Sequence, residues 1–285
     1  MAADASKGNL LTLSGNEIDA FLLSRHRSAE SLLAAYQLSG DDAYLIEALQ
    51  KFPQDPAVLL ASLRLSGDPA ENLKTLEALK LADPGNGLGH CLAARALFDL
   101  GRTDEALAEL LRMSGKPLDD YMILSCQAVE EAYIAAGFSS LDAKITSLYS
   151  ATKPSLMKMG SPLVKNLDAM RTAYEASGNQ EGVDSIRRIQ AEIGARLRSA
   201  GSLVDELVGI LHEKAALRGL DSPDAADRLN EVEQRKTALT QASWKIPKLM
   251  ENPAVPESDW VSYFDRVKLF GEKAANNWIL ERYPE

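Results

Sequence analysis

The stretch DPGNGLGHCLAARALFDLGRTDEALAELLRM, Asp83–Met113, decides how the chain is read. Ala93, Ala94, Leu97 and Leu100 fall at helical spacing, and Gly101 supplies a C-terminal cap. Thr103 then opens a second helix with Asp104 and Glu105 in its positively polarised first turn. His90 joins the apolar positions before the glycine, Ala106, Leu110 and Met113 hold those after it, and Pro84 ends the preceding unit. The spacing predicts a helix, a tight turn and a second helix.

The same unit recurs upstream. Leu38-Ser39-Gly40-Asp41 returns as Leu65-Ser66-Gly67-Asp68, 27 positions later, and Gly67 stands 34 positions before Gly101. Leu32, Leu33 and Tyr36 precede Gly40, and Leu45, Leu49 and Phe52 follow it, with Pro53 as the stop. Leu59, Leu60 and Leu63 precede Gly67; Asp68-Pro69 then gives an N-cap with proline at the first helical position, followed by Leu73, Leu76 and Leu79. Nearer the N-terminus, Ser14 and Glu17 have capping-box spacing before Ile18, Phe21 and Leu22, so a helix begins at about residue 15. Whether it stops near Ser24 or runs on through Arg25, His26 and Arg27 is left open, because no Gly or Pro interrupts it.

Downstream the pattern weakens. Gly137 is the next turn, with Val129 and Tyr133 before it, Leu141, Ile145 and Leu148 after it, and Asp119 or Asp120 opening the first helix. Pro154, Gly160 and Pro162 predict a bend; Leu163, Leu167, Met170 and Tyr174 then lead to Gly178, and Val183, Ile186, Ile189, Ile193 and Leu197 mark a long helix from Asn179 to about Ser199. A helix from Ser202 carries Leu203, Val204, Leu207, Val208, Ile210 and Leu211 around so much of its circumference that burial is expected. The helix from Ser222-Pro223 is charged, with a narrow face of Leu229, Val232 and Leu239. Pro247, Pro253 and Pro256 predict an irregular connection before a last helix bearing Trp260, Phe264, Val267, Gly271, Ala274 and Trp278.

These helix-turn-helix units, with a glycine turn and a 34-residue spacing, resemble tetratricopeptide repeats (TPR). The resemblance covers about two-thirds of the chain and is most specific between about residues 30 and 115. It implies an all-α, right-handed solenoid of about five repeats over 15–200, after a polar segment 1–14 and before a helical C-terminal region 201–285 that caps the array. In proteins of this kind the first helices line a concave groove that binds a peptide. Carrying the groove positions across gives Arg27, Glu30, Ala34 and Gln37; Ala57, Ala61 and Arg64; Leu88, Cys91, Arg95 and Phe98; Leu124, Gln127, Glu131 and Ile134; Lys165, Asp168, Thr172 and Glu175. The family's carboxylate clamp, lysine at position five and asparagine at nine, is absent: Glu30 and Ala34, Ala57 and Ala61, Cys91 and Arg95 stand there. Arg64 and Arg95 suit an acidic side chain; Glu131, Asp168 and Glu175 suit a basic one.

Composition limits the other classes. The chain has 285 residues, 46% hydrophobic and 25% charged, with a net charge of −10 and no run approaching a membrane span. That acidity disfavours nucleic acid as a partner and fits basic or mixed-charge ones, while the resemblance implies a protein or peptide. His26, His90 and His212 have no ligand partner at helical spacing, so no metal site is predicted; Gly85-x-Gly87-x-Gly89 lacks the strand that a dinucleotide loop follows. His90 beside Cys91 suggests a base and nucleophile, but helix neighbours point about 100° apart. Cys91 and Cys126 are expected to be free, buried thiols.

The expectation is therefore a noncatalytic protein-binding adaptor without cofactor. The alternative is a scaffold or accessory subunit that assembles through its C-terminal aromatic residues, Trp260, Phe264 and Trp278. The start of the chain lacks a secretory pattern, which points to the cytoplasm; a periplasmic or extracytoplasmic soluble domain that has lost a signal or anchor is the other choice. Oligomeric state stays open.

Overall fold

The computed structural model of the chain describes residues 11–151, 155–199 and 201–284, with backbone alone at 151 and 155–161. Among the described residues there are fifteen α-helices and no strand, and no helix is long and apolar enough to cross a membrane.

α1 (Gly15–Ser24) starts on the expected capping box, in which Ser14 Oγ accepts from the Glu17 N–H and the Glu17 carboxylate accepts from the Ser14 N–H at 2.7 Å. It ends at Ser24, because His26 and Arg27 adopt left-handed φ of 53° and 49°. Such a backbone costs roughly 1–2 kcal/mol per side-chain-bearing residue, and the Arg27 guanidinium, bonded to Glu47 at 2.7 Å, helps to hold it.

Three helix pairs follow: α2 (Ala29–Ser39) with α3 (Asp42–Lys51), α4 (Pro56–Ser62) with α5 (Pro69–Ala82), and α6 (Leu88–Asp99) with α7 (Thr103–Met113). Gly40 and Gly101 take φ of 70° and 72° at their turns, as a left-handed cap requires. The middle pair departs from expectation. α4 has only seven residues, and Gly67, despite the repeated Leu-Ser-Gly-Asp, is not left-handed, because the chain turns earlier, at Leu63–Leu65. The pairs stack in order, α3 against α4 and α5 against α6. Fully buried Ala35, Ala48, Ala93, Ala94 and Ala106 let the helices approach closely.

From here the packing is not sequential. α8 (Met122–Ala135) and α9 (Ser140–Ala151) form a pair across Gly137, and α8 lies on α2 and α1 instead of continuing beyond α7. α10 (Ser155–Ala176) runs as helix through Gly160 and Pro162, where a bend was expected; Pro154 is outside the described residues. α10 packs on α6, α11 (Gln180–Arg198) and α12 (Leu203–Leu217). α13 (Pro223–Met250) joins α12 to α15, and α14 (Glu257–Phe270) pairs with α15 (Glu272–Arg282) and rests on α9. Neighbour contacts thus make a closed circuit from α2 through α3, α4, α5 and α6 to α10, α12, α13, α15 and α14, and back through α9 and α8 to α2.

Two close approaches lie along this return. Gly194 of α11 and Gly209 of α12 face each other so tightly that a Cβ on Gly209 would sit 2.8 Å from the Gly194 carbonyl oxygen. At Gly271, φ 85° and ψ 162° break what the apolar spacing presents as one continuous last helix. There the Glu272 N–H donates to the Gly201 carbonyl at 2.7 Å, and the Glu272 carboxylate accepts from the Leu203 N–H at 2.9 Å.

Two other sequence expectations are corrected. α12 is only half wrapped: Leu203, Val208 and Ile210 are buried, whereas Val204, Leu207 and Leu211 remain exposed, because α10, α11 and α13 leave one stripe uncovered. Pro247 lies within α13 and not in an irregular connection.

Candidate binding cavity

The first helices of two pairs, α2 and α4, converge with the start of α8 around a cavity of about 240 Å³. Asp55 fixes one edge by accepting from the Val58 N–H at 3.0 Å, with Pro56 at the first helical position of α4. The opposite edge is the entry to α8, where Tyr121 adopts a left-handed φ of 59°. Asp119 accepts from the Tyr121 N–H at 2.8 Å and Asp120 from the Met122 N–H at 3.1 Å. The Tyr121 hydroxyl donates to Asp83 at 2.8 Å and accepts from Asn86 Nδ2 at 3.1 Å, tying the strained turn to the loop before α6. Gln37 Nε2 donates to Ser125 Oγ and so links α2 to α8.

Leu33, Leu60, Met122 and Leu124 supply apolar wall, Tyr36 and Tyr121 aromatic wall, and Glu30, Asp55, Asp120, Gln37 and Arg64 the polar groups. Gln37 Oε1 is buried with no hydrogen-bond partner. Burial pushes the Asp120 carboxyl above its ordinary range, the Met122 N–H opposes this, and neighbouring Asp119 adds to the rise. Among the described residues, none of the three lining carboxylates takes part in an ion pair.

The residues expected to line a groove divide sharply. Glu30, Gln37 and Arg64 come together here, with Ala57, Ala61 and Leu124, which were expected to line the groove as well. The others are used inside the chain. Arg27 pairs with Glu47, Arg95 with Asp99 at 3.0 Å, and Glu131 with Arg25 at 2.8 Å and Gln127 at 3.3 Å. Asp168 holds Arg218 at 2.6 Å, Glu175 holds Arg171 at 2.5 Å, and Phe98 packs on the core. Cys91 is a correction: it is 2% exposed, because α5, α7 and α10 surround α6, and burial pushes its thiol up to about 12. Cys126 is likewise buried and free, its thiol also pushed up by burial to about 12.

The C-terminal aromatic set is also corrected. Trp260 and Phe264 are 5% and 6% exposed in a core shared by α9, α13, α14 and α15, and Trp278 is half-buried under the Arg266 guanidinium, 4.5 Å from its ring centre. Sequence reading missed Asp55, Asp120, Tyr36 and Tyr121 as lining residues. Cap spacing accounts for the two acids and core packing for Tyr36, and nothing in the sequence indicates that α8 returns to α2.

His90 belongs to a buried polar relay away from the cavity. Its Nδ1 lies 2.7 Å from Glu109 Oε2 and its Nε2 3.0 Å from Lys116 Nζ. With the ammonium donating to Nε2, the network places the ring proton on Nδ1, donated to Glu109. Burial raises the Glu109 carboxyl, but His90 and Lys80 outweigh this and leave it below its ordinary value. Both imidazole nitrogens are therefore occupied by partners other than Cys91. Among the described residues no group of His, Cys, Asp or Glu is placed to hold a metal ion.

No family model, no curated protein and no solved structure matches the chain.

Proposed function

We propose that the protein is a noncatalytic adaptor, built on tetratricopeptide-like helix pairs arranged as a right-handed solenoid, that holds a segment of another protein against α2, α4 and the start of α8. One observation carries the reading: a single cavity brings together Glu30 and Gln37, Ala57, Ala61 and Arg64, and Leu124, residues of three helix pairs to which the resemblance assigns a ligand-facing place. Rigid helices that present such a face lose little conformational freedom on binding, so a few anchors suffice. The inward burial of Trp260 and Phe264 favours this surface over assembly through the C-terminal aromatic residues.

The reading is tested by placing a photo-crosslinking amino acid at position 61 and, as a control, at Trp244, which is 71% exposed on α13. Discrete crosslinks from position 61 that Leu60→Trp abolishes support the adaptor. Crosslinks only from position 244, or none sensitive to Leu60→Trp, overturn it.

A further inference from the structure

We infer that the α2–α4–α8 cavity takes a cationic side chain, an arginine or lysine, of the bound peptide. The inference rests on the adaptor reading and names the chemistry of its central anchor. Three features converge on it.

The first is charge. Among the described residues, three carboxylates, Glu30, Asp55 and Asp120, line the cavity with one guanidinium, Arg64. Asp55 and Asp120 each spend one oxygen on a helix-start N–H, and none of the three has an ion pair among the described residues. An anionic occupant would enter a field already negative, on a chain of net charge −10.

The second is the balance of donors and acceptors. Gln37 is anchored through Nε2 on Ser125, which leaves Oε1 buried and without a donor. Glu30, Asp55 and Asp120 add carboxylate oxygens to the lining, which makes it richer in acceptors than in donors. Arginine carries five N–H donors and lysine three, and neither carries an acceptor that would compete with the carboxylates.

The third is size and wall. About 240 Å³ lies below the roughly 300–1,000 Å³ of sites for whole drug-sized ligands, and suits one long side chain. Leu33, Leu60 and Met122 would cover the methylene stem, and Tyr36 and Tyr121 add aromatic rings to the same wall. The opposite choice, an acid held between Arg64 and Arg95, loses its geometry, because Arg95 does not line the cavity and is bonded to Asp99.

The test is selection of a random twelve-residue peptide library on the full chain, followed by affinity measurement with the selected peptides. Arginine or lysine should be enriched at one fixed position. Replacing it with citrulline, which keeps the shape without the charge, should weaken binding at least tenfold. Glu30→Gln with Asp120→Asn should do the same to the arginine peptide and leave the citrulline peptide unchanged, with unaltered thermal melting showing that the variant is folded. Selected peptides that carry Asp, Glu or only apolar residues there, or that bind equally as citrulline, overturn the cationic anchor while the adaptor reading stands. If no peptide binds above a scrambled control, both fall.

Discussion

The segment from α2 to α7 and the segment from α8 to α15 are both all-helical, yet they are held together differently. In the first, neighbours in sequence are neighbours in space, and the contacts are apolar stripes, alanines and glycine turns. In the second, helices far apart in sequence meet over an apolar core that α9 shares with α13, α14 and α15, and buried charge and close glycine contacts pin that meeting. Glu130 of α8 accepts from Lys144 of α9 at 2.7 Å and from Lys268 of α14, and Lys144 also donates to Asp265. Burial pulls the Lys144 ammonium down, and the bonds to Asp265 and Glu130 more than compensate, leaving it above its ordinary value. Local periodicity builds a stack; closing that stack on itself takes specific long-range pairs.

The sharpest break of this contrast is at Glu130. Glu130→Leu leaves the Lys144 and Lys268 ammonium groups sharing the partly exposed Asp265 carboxylate in a poorly hydrated junction, and removal of one partner from a buried ionic network typically costs about 3–5 kcal/mol. Urea denaturation should show a loss of that size, and hydrogen exchange should rise first in α14. A loss under about 1 kcal/mol, as expected of a surface pair, would mean that the closure does not depend on this network.

Next comes Gly209. The alanine Cβ would collide with the Gly194 backbone, which cannot swing aside, so Gly209→Ala should cost about 2–3 kcal/mol. Gly101→Ala in the stack meets no atom within 4 Å and pays only for its left-handed φ, about 1–2 kcal/mol. Equal thermal shifts for the two would erase the distinction between packing glycines and turn glycines.

This contrast also sets how far the sequence could be read. Leu59, Leu76, Leu97 and Leu110 state their helices by spacing alone, because each helix buries a stripe against the next. Glu130, Lys144 and Lys268 look like ordinary solvated charges, since their partners lie up to 138 residues away and no pattern marks them. The candidate cavity was half legible for the same reason. Glu30, Gln37 and Arg64 follow from repeat positions, but Asp120 and Tyr121 enter only because α8 folds back on α2. The apolar spacing through Gly271 misleads in the other direction, by joining α14 to α15 across a backbone that Gly201 forces to turn.

Acid titration of the second segment gives opposing signs. Burial, with Asp120 and Glu272 nearby, pushes the Asp205 carboxyl from an ordinary 3.8 to about 6, despite a hydrogen bond from Ser202. The folded state therefore holds this proton more tightly, and stability falls as pH rises from about 4 through about 6. Burial lowers His212 from 6.5 to about 4, with Asp168 opposing, so stability falls as pH drops through that same window. Each effect is on the order of 3 kcal/mol. Stability curves should show Asp205→Asn gaining over wild type above about pH 6 and converging with it below about pH 4. His212→Leu should change relative to wild type in the opposite sense, gaining as the pH falls. Parallel curves at all pH values would show that neither group changes protonation on unfolding.

The smallest effect tests whether the stack is as local as its sequence suggests. Asp68 accepts from the Ala70 N–H at 3.0 Å and starts α5, so Asp68→Ala should cost about 1 kcal/mol, the usual value of a lost N-cap. Because the bond lies within one turn, faster hydrogen exchange should be confined to the first turn of α5. If α8 or α14 loses protection as well, the stack and its closure unfold as one cooperative unit, and what separates the two segments is how each is encoded, not how each is stabilised.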